Sequence, residues 1–270
     1  MERIKLAIEK AKKNTPGQKP RRAAIVQSVA IEDENLEDLS YSSTEVVNLN
    51  LAHLAKNRIL AFNKNDPSSW MFDILRTKVL QKMEENGWKT LAITSPTPEC
   101  GKTVVATNLA MSIAHQSNKT TVLVDFDLRR PKIKTYLGLD REKSLNDVLA
   151  GKAEVSEAMV NPGIPRMVVL PTNFPVKNSS EVLSSKMVTN LIHELRDRYD
   201  ERIIIFDLPP VLNADDAMAV LPQIDCVLLI VGNGQCTKRE IEDSLRHLPD
   251  TNLLGVVLNK GDIPTKQYYY

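Results

Sequence analysis

Short, continuous apolar runs recur from residue 91 onward, at 91–94, 121–125, 167–170, 203–207, 226–231 and 253–258. None alternates apolar with polar residues as a half-wetted strand does, so they predict parallel strands covered on both faces. Between them lie helical patterns at 102–116, 145–150, 182–199 and 238–247. This alternation predicts a doubly wound α/β fold, with a mostly parallel sheet and ligands at the C-terminal strand ends. Upstream, Met71, Ile74, Leu75, Val79 and Met83 give residues 70–85 a helical apolar face. Asp66-Pro67-Ser68-Ser69 supplies the start signal of that helix and Asn86-Gly87 its stop.

The first 69 residues are organised differently. Ile4, Ala7, Ile8 and Ala11 form one stripe over 1–14, which reads equally as a docking helix for a partner or a solvated helix packed on its own domain. Residues 15–22 read as linker and the acidic stretch 28–43 as poorly ordered. Residues 45–62 mix an extended pattern (VVNLNL) with a helical one (LAHLAKNRILAF). The expected organisation is an N-terminal extension (1–69), an α/β domain (70–262) and a tyrosine-rich tail (263–270).

Composition narrows the function. Thirty-five Lys and Arg against 34 Asp and Glu leave a net charge of +1, which argues for no nucleic-acid partner. Cys100, Cys226 and Cys236 have no paired or metal-like spacing, which suits a reducing cytosol. No run approaches the roughly 20 apolar residues of a membrane span. A cytoplasmic protein is expected, held at a membrane only through a partner.

The candidate chemistry begins where the 91–94 run enters Ser95-Pro96-Thr97-Pro98-Glu99-Cys100-Gly101-Lys102-Thr103. A loop ending Gly-Lys-Thr before a helix presents backbone N–H groups and a positive helix end to phosphate oxygens. Lys102 is placed to reach the outer phosphates and the Thr103 hydroxyl to ligate Mg²⁺. Pro98, Glu99, Cys100, Gly101 and Val104 complete the candidate nucleotide-binding set. The usual first glycine position holds Pro96.

Two later runs end in carboxylates, one at Asp125-Phe126-Asp127 and one at Asp207, which Leu208-Pro209-Pro210 follows. Beside a phosphate loop such groups hold Mg²⁺, and one can accept a proton from an incoming hydroxyl. Singly, each reads as well as a strand end or helix cap. Arg129 and Arg130 read as stabilisers of transferred charge, as partners of a neighbouring subunit, or as a solvated turn. Asn259 reads as a base-contacting residue or an ordinary turn. Tyr268, Tyr269 and Tyr270 have no packing use at a terminus and read as exposed acceptor hydroxyls.

Taken together these motifs resemble the bacterial tyrosine kinases (BY-kinases) of capsule and exopolysaccharide biosynthesis, P-loop ATPases related to the partition and cell-division ATPases. The family loop S-P-x-P-G-x-G-K-[ST] is matched by Ser95 to Thr103, with Glu99 in place of glycine. Three apolar residues and D-x-D-x-R are matched by Val122 to Arg129, the R-P step by Arg130-Pro131, and D-x-P-P by Asp207 to Pro210. Asn178 to Leu183 and Asp216-Ala217 are also similar.

The resemblance implies ATP and Mg²⁺ as cofactors. It makes Lys102, Asp125 and Asp127 catalytic, assigns the metal to Thr103, Asp125, Asp127 and Asp207, and makes Tyr268 to Tyr270 the acceptors, phosphorylated across a ring or dimer interface. It further implies a membrane-spanning polysaccharide co-polymerase as activator, and recruitment to the inner face of the plasma membrane. The family's ring-forming E-x-x-R-x-x-R falls on Trp70, Asp73 and Arg76, where only the last arginine is kept. Two other functions fit parts of this pattern: an ATP-binding adaptor without turnover, and a partition-type positioning ATPase.

Overall fold

The computed structural model describes residues 44–261 apart from 64, 65, 67, 117, 199, 214, 249 and 250. The N-terminal stripe, linker and acidic stretch, and the tyrosine tail, lie outside the described residues.

Six strands form one sheet: β1 (Thr90–Thr94), β2 (Thr120–Asp125), β3 (Met167–Leu170), β4 (Arg202–Asp207), β5 (Cys226–Gly232) and β6 (Leu253–Asn259). Their order is β3-β2-β4-β1-β5-β6 and every pairing within the sheet is parallel. All six apolar runs thus become strands. β1, β3, β4 and β5 are buried at every position, as continuous apolar runs require. Edge strand β6 differs: Val256 and Leu258 stand 52% and 66% exposed, so its uniform apolar sequence does not reflect burial on both faces.

Five longer helices accompany the sheet: α1 (Leu51–Lys56), α2 (Trp70–Glu85), α3 (Lys102–Gln116), α8 (Lys186–Asp197) and α10 (Lys238–Arg246). Short helices fill the crossovers: α4 (Ile133–Leu137), α5 (Leu145–Leu149), α6 (Val155–Ala158), α7 (Ser179–Leu183) and α9 (Asp216–Val220). α2 has the predicted bounds, and Gly87 follows it at φ 67°, the left-handed stop its sequence anticipated.

Two helix expectations need correction. The single helix expected at 182–199 is α7 and α8, separated at Ser184 and Ser185, where the Ser185 hydroxyl caps Val188 N–H at 3.4 Å. The helical pattern LAHLAKNRILAF stops at Lys56 because Arg58 turns left-handed (φ 59°). There the buried Asn108 of α3 captures the backbone instead: its Oδ1 accepts from Leu60 and Ala61 N–H at 2.7 and 2.8 Å, and its Nδ2 donates to Arg58 O at 2.9 Å. Leu54, Ile59 and Ala61 consequently enter the same core as Leu109, Leu123 and Ile205.

Among the described residues no helix is long and apolar enough to cross a membrane.

Candidate active site

Sheet register assembles the site. β2 pairs with β4 so that Asp125 lies directly beside Asp207, and β1, on the other side of β4, places Ile93 beside Asp207. The phosphate loop leaves β1 one residue later, so loop and carboxylates share one end of the sheet. The Leu208-Pro209-Pro210 segment is then tied to that loop. Thr94 Oγ1 donates to Pro209 O at 2.7 Å, and Val211 and Leu212 N–H donate to Ser95 and Pro96 O. Prolines suit this strap because every backbone bond named here uses only their carbonyls.

Lys102 is the hub. Its Nζ sits 2.7 Å from Asp127 Oδ2 and 3.3 Å from Asp207 Oδ1. The Thr103 hydroxyl donates to Asp207 Oδ2 at 2.6 Å. Burial alone would lower the lysine's pKa, but the Asp207 and Asp127 charges outweigh it and hold the ammonium above its ordinary range. Burial raises Asp207, and Asp127 adds to this, against the pull of Lys102 and Thr103.

Asp125 is fully buried. Its Oδ2 accepts from Lys132 and Ile133 N–H at 3.1 and 3.0 Å, while Oδ1 has no hydrogen-bond partner. Burial first, and then the Asp207 charge, push this carboxyl well above the usual carboxylate range. A buried oxygen without a partner, beside two more carboxylates and a hydroxyl, is a donor set of the hard-oxygen type that Mg²⁺ takes. Among the described residues no group of three or more His, Cys, Asp or Glu is gathered as a metal site.

The loop itself answers two questions raised by its sequence. Glu99, in the glycine position, is exposed and adopts φ 63°, a left-handed conformation that glycine enters without strain. Asn259, at the end of β6, donates from Nδ2 to Cys100 O at 2.9 Å, and so props the loop from the outside. Pro98 and Val104 flank the loop half-buried.

Gly101 has φ 88°, and a Cβ there would come within 2.3 Å of Asn259 Nδ2. Gly101→Ala is therefore expected to lower stability by about 1–3 kcal/mol and to weaken nucleotide binding. Asn259→Ala in the same chain removes the clash but not the backbone strain. Thermal melts of the single and double variants should consequently show incomplete rescue, and full rescue would refute the backbone account.

Arg129 has a different setting from the phosphate loop. Its Nε donates to Asp216 at 3.1 Å and to Ser179 Oγ at 3.2 Å, and its Nη2 reaches Asp216 at 2.9 Å and Asp215 at 3.3 Å. Sequence reasoning singled out Arg129, and the segments holding Ser179 and Asp216, but nothing in their spacing shows that they meet. Arg130 is exposed. In α2, Arg76 bonds Asp73 at 2.7 Å and Ser112 Oγ of α3 at 3.1 Å, while Trp70 is 58% exposed.

The chain is similar to several known proteins. Residues 88–245 match the AAA domain family model. The tyrosine-protein kinase CpsD of Streptococcus pneumoniae serotype 4 is 33% identical over 186 residues, 67% of this chain and 79% of that protein. The chain belongs to the bacterial tyrosine-protein kinases. The kinase domain of the Escherichia coli tyrosine kinase ETK superposes with a TM-score of 0.69 at 30% identity, covering 79% of this chain and 84% of that domain. Another member, the putative tyrosine-protein kinase EpsB of Ralstonia nicotianae, is 32% identical over 208 residues. The chain spans only 27% of the length of EpsB.

Proposed function

We propose that this chain is an ATP-dependent protein-tyrosine autokinase that transfers phosphate to Tyr268, Tyr269 and Tyr270 of a neighbouring copy and thereby regulates exopolysaccharide or capsule export. The observation that carries it is the cluster itself: a buried lysine and three buried carboxylates at the mouth of a phosphate loop, one of which has an oxygen left over.

ATP would lie along the loop from Pro98 to Val104, with its phosphates on the N-terminus of α3. Lys102, already desolvated, would exchange its carboxylate partners for phosphate oxygens without leaving its pocket. Thr103, Asp207 and the β2 carboxylates would hold Mg²⁺, which would supply charge neutralisation on the phosphates. Asp125 or Asp127 takes the proton from the tyrosine hydroxyl as the phenolic oxygen bonds to the γ-phosphorus and ADP departs. Clustered phosphotyrosines add roughly −1.5 to −2 charge each, enough to loosen a self-associated state by repulsion. Activation by the cytosolic segment of a membrane-spanning co-polymerase, which would hold the chain at the inner membrane face, completes the reading.

The test is phosphopeptide mapping by mass spectrometry after incubation of the full chain with ATP and Mg²⁺. Phosphate on Tyr268 to Tyr270 is expected in the parent and not in Thr103→Ala, which keeps the Lys102 charge balance. Nucleotide binding with no phosphotyrosine, even with the co-polymerase segment added, would replace this reading with a non-catalytic adaptor. Inorganic phosphate released without phosphotyrosine would replace it with a positioning ATPase.

A further inference from the structure

Two of the three cysteines, far apart in sequence, meet in space. Cys100 in the phosphate loop and Cys236 just before α10 place their sulfurs 3.1 Å apart, although 136 residues separate them. Sequence spacing does not show this encounter, which arises because the β1 and β5 strand ends are neighbours in the sheet. Both are free thiols, Cys100 buried and Cys236 half-buried. Thr97 bridges them, with Oγ1 3.6 Å from Cys100 Sγ and 3.4 Å from Cys236 Sγ.

We propose that Cys100 and Cys236 are an oxidative modification site, a dithiol that closes to a disulfide under peroxide and ties the phosphate loop to the turn after β5. Formation of the bond is independent of the kinase reading, whereas its effect on nucleotide binding rests on it.

The reaction balances as follows. The more accessible Cys236, as thiolate, attacks hydrogen peroxide, forming a sulfenic acid and releasing hydroxide. The Cys100 thiolate then attacks the Cys236 sulfur, forms the S–S bond and expels a second hydroxide. The two protons given up by the thiols convert both hydroxides to water, so two thiols are oxidised and one peroxide is reduced. Around Cys100, burial opposes ionisation. The Cys236 thiol, the Thr97 hydroxyl and backbone contacts at Gly232 and Thr97 outweigh it and bring the thiol below its usual value. Burial, with the Cys100 thiol beside it, raises Cys236, so exposure rather than acidity selects Cys236 for the first step, and Cys100 supplies the resolving thiolate. Cys226 provides an internal control: burial pushes its thiol up to about 12, and its Sγ donates to Thr90 O inside the sheet.

The bond would constrain the loop because the neighbourhood has no slack. A Cβ on Gly232 would lie 3.1 Å from Cys100 Cα, so the β5 end already touches the loop backbone. A disulfide at about 2.05 Å draws the sulfurs roughly 1 Å closer than they stand, and the loop must follow or strain. Cys100 O also receives the Asn259 bond, and Gly101 is the next residue. A shift at Cys100 is therefore passed directly to the N–H groups that would face phosphates.

The test uses the full chain, hydrogen peroxide, non-reducing peptide mapping and a fluorescent ATP analogue. A Cys100–Cys236 cross-linked peptide is expected, with Cys226 still reduced. Nucleotide affinity is expected to fall about tenfold, equivalent to about 1.4 kcal/mol, and to return with dithiothreitol. Cys236→Ser should bind the analogue normally and lose the reversible response to peroxide. Over-oxidised or singly modified cysteines without the cross-link would overturn the proposal. A cross-link in a chain that never binds nucleotide would instead leave the dithiol standing and remove the kinase reading.

Discussion

Lys102→Met should be the most damaging substitution in this protein, for stability as well as turnover. Both carboxylates that contact the lysine, Asp127 and Asp207, are buried, and methionine fills a similar volume without a charge. Breaking a buried ion pair from one side costs about 3–5 kcal/mol because the remaining charge stays desolvated. For a domain of about 200 residues that lowers the melting temperature by about 2–4 °C per kcal/mol. Turnover should fall by about 10²–10³-fold or more, as when a preorganised phosphate contact is removed.

The stability loss has a definite pH dependence. With the lysine gone, Asp207 loses the charge that opposes its burial and is raised further above its unfolded-state value. The penalty is therefore full above that raised value and has disappeared once pH falls below the unfolded carboxylate range. Melting curves at neutral and mildly acidic pH measure this directly. A variant equally destabilised at both would mean that lost packing, not unpaired charge, is responsible. It also follows that Lys102→Met is a poor inactive control unless its fold is checked, which is why Thr103→Ala serves better in phosphorylation mapping.

What could be read from the chain, and what could not, divides along physical lines. Strands and their carboxylate ends were legible because parallel burial leaves a local imprint: an unbroken apolar run, then an acid. The phosphate loop was legible for the same reason, since Gly101, Lys102 and Thr103 are consecutive. Encounters between distant segments leave no such imprint. The Cys100–Cys236 contact depends on which strands the sheet makes neighbours, and the Arg129 pairing with Asp216 depends on how α9 packs after β4. The end of α1 was hidden differently. Its helical pattern continues past Lys56, but Asn108, about fifty residues later, satisfies the 58–61 backbone in a non-helical shape. Glu99 is the converse case. It puts a carboxylate where the family has glycine, and its backbone adopts the left-handed conformation that glycine enters without strain.

Asp125→Asn should separate stability from function in the opposite sense. In the free protein this carboxyl is the least favourably placed of the three. It is fully buried, raised by desolvation and by the Asp207 charge, and supported on one oxygen only. An asparagine keeps an oxygen to accept from Lys132 and Ile133 N–H and removes the charge. The variant should therefore melt higher than the parent at neutral pH, by about 2–4 °C for each kcal/mol of repulsion relieved.

The sign follows from linkage. A carboxyl raised on folding favours the folded state only where it is protonated, below its unfolded value, and loses that contribution as pH rises through the raised value. The asparagine advantage should accordingly be large at neutral pH and vanish in acid. Tyrosine phosphorylation should be lost, because amide nitrogen neither accepts the proton nor ligates Mg²⁺. The further stabilisation that ATP with Mg²⁺ gives the parent should shrink with it. A variant that melts lower than the parent at neutral pH would show that ionised Asp125 is favourably held. One that melts higher and still phosphorylates Tyr268 to Tyr270 would leave the proton and the metal to Asp127 and Asp207.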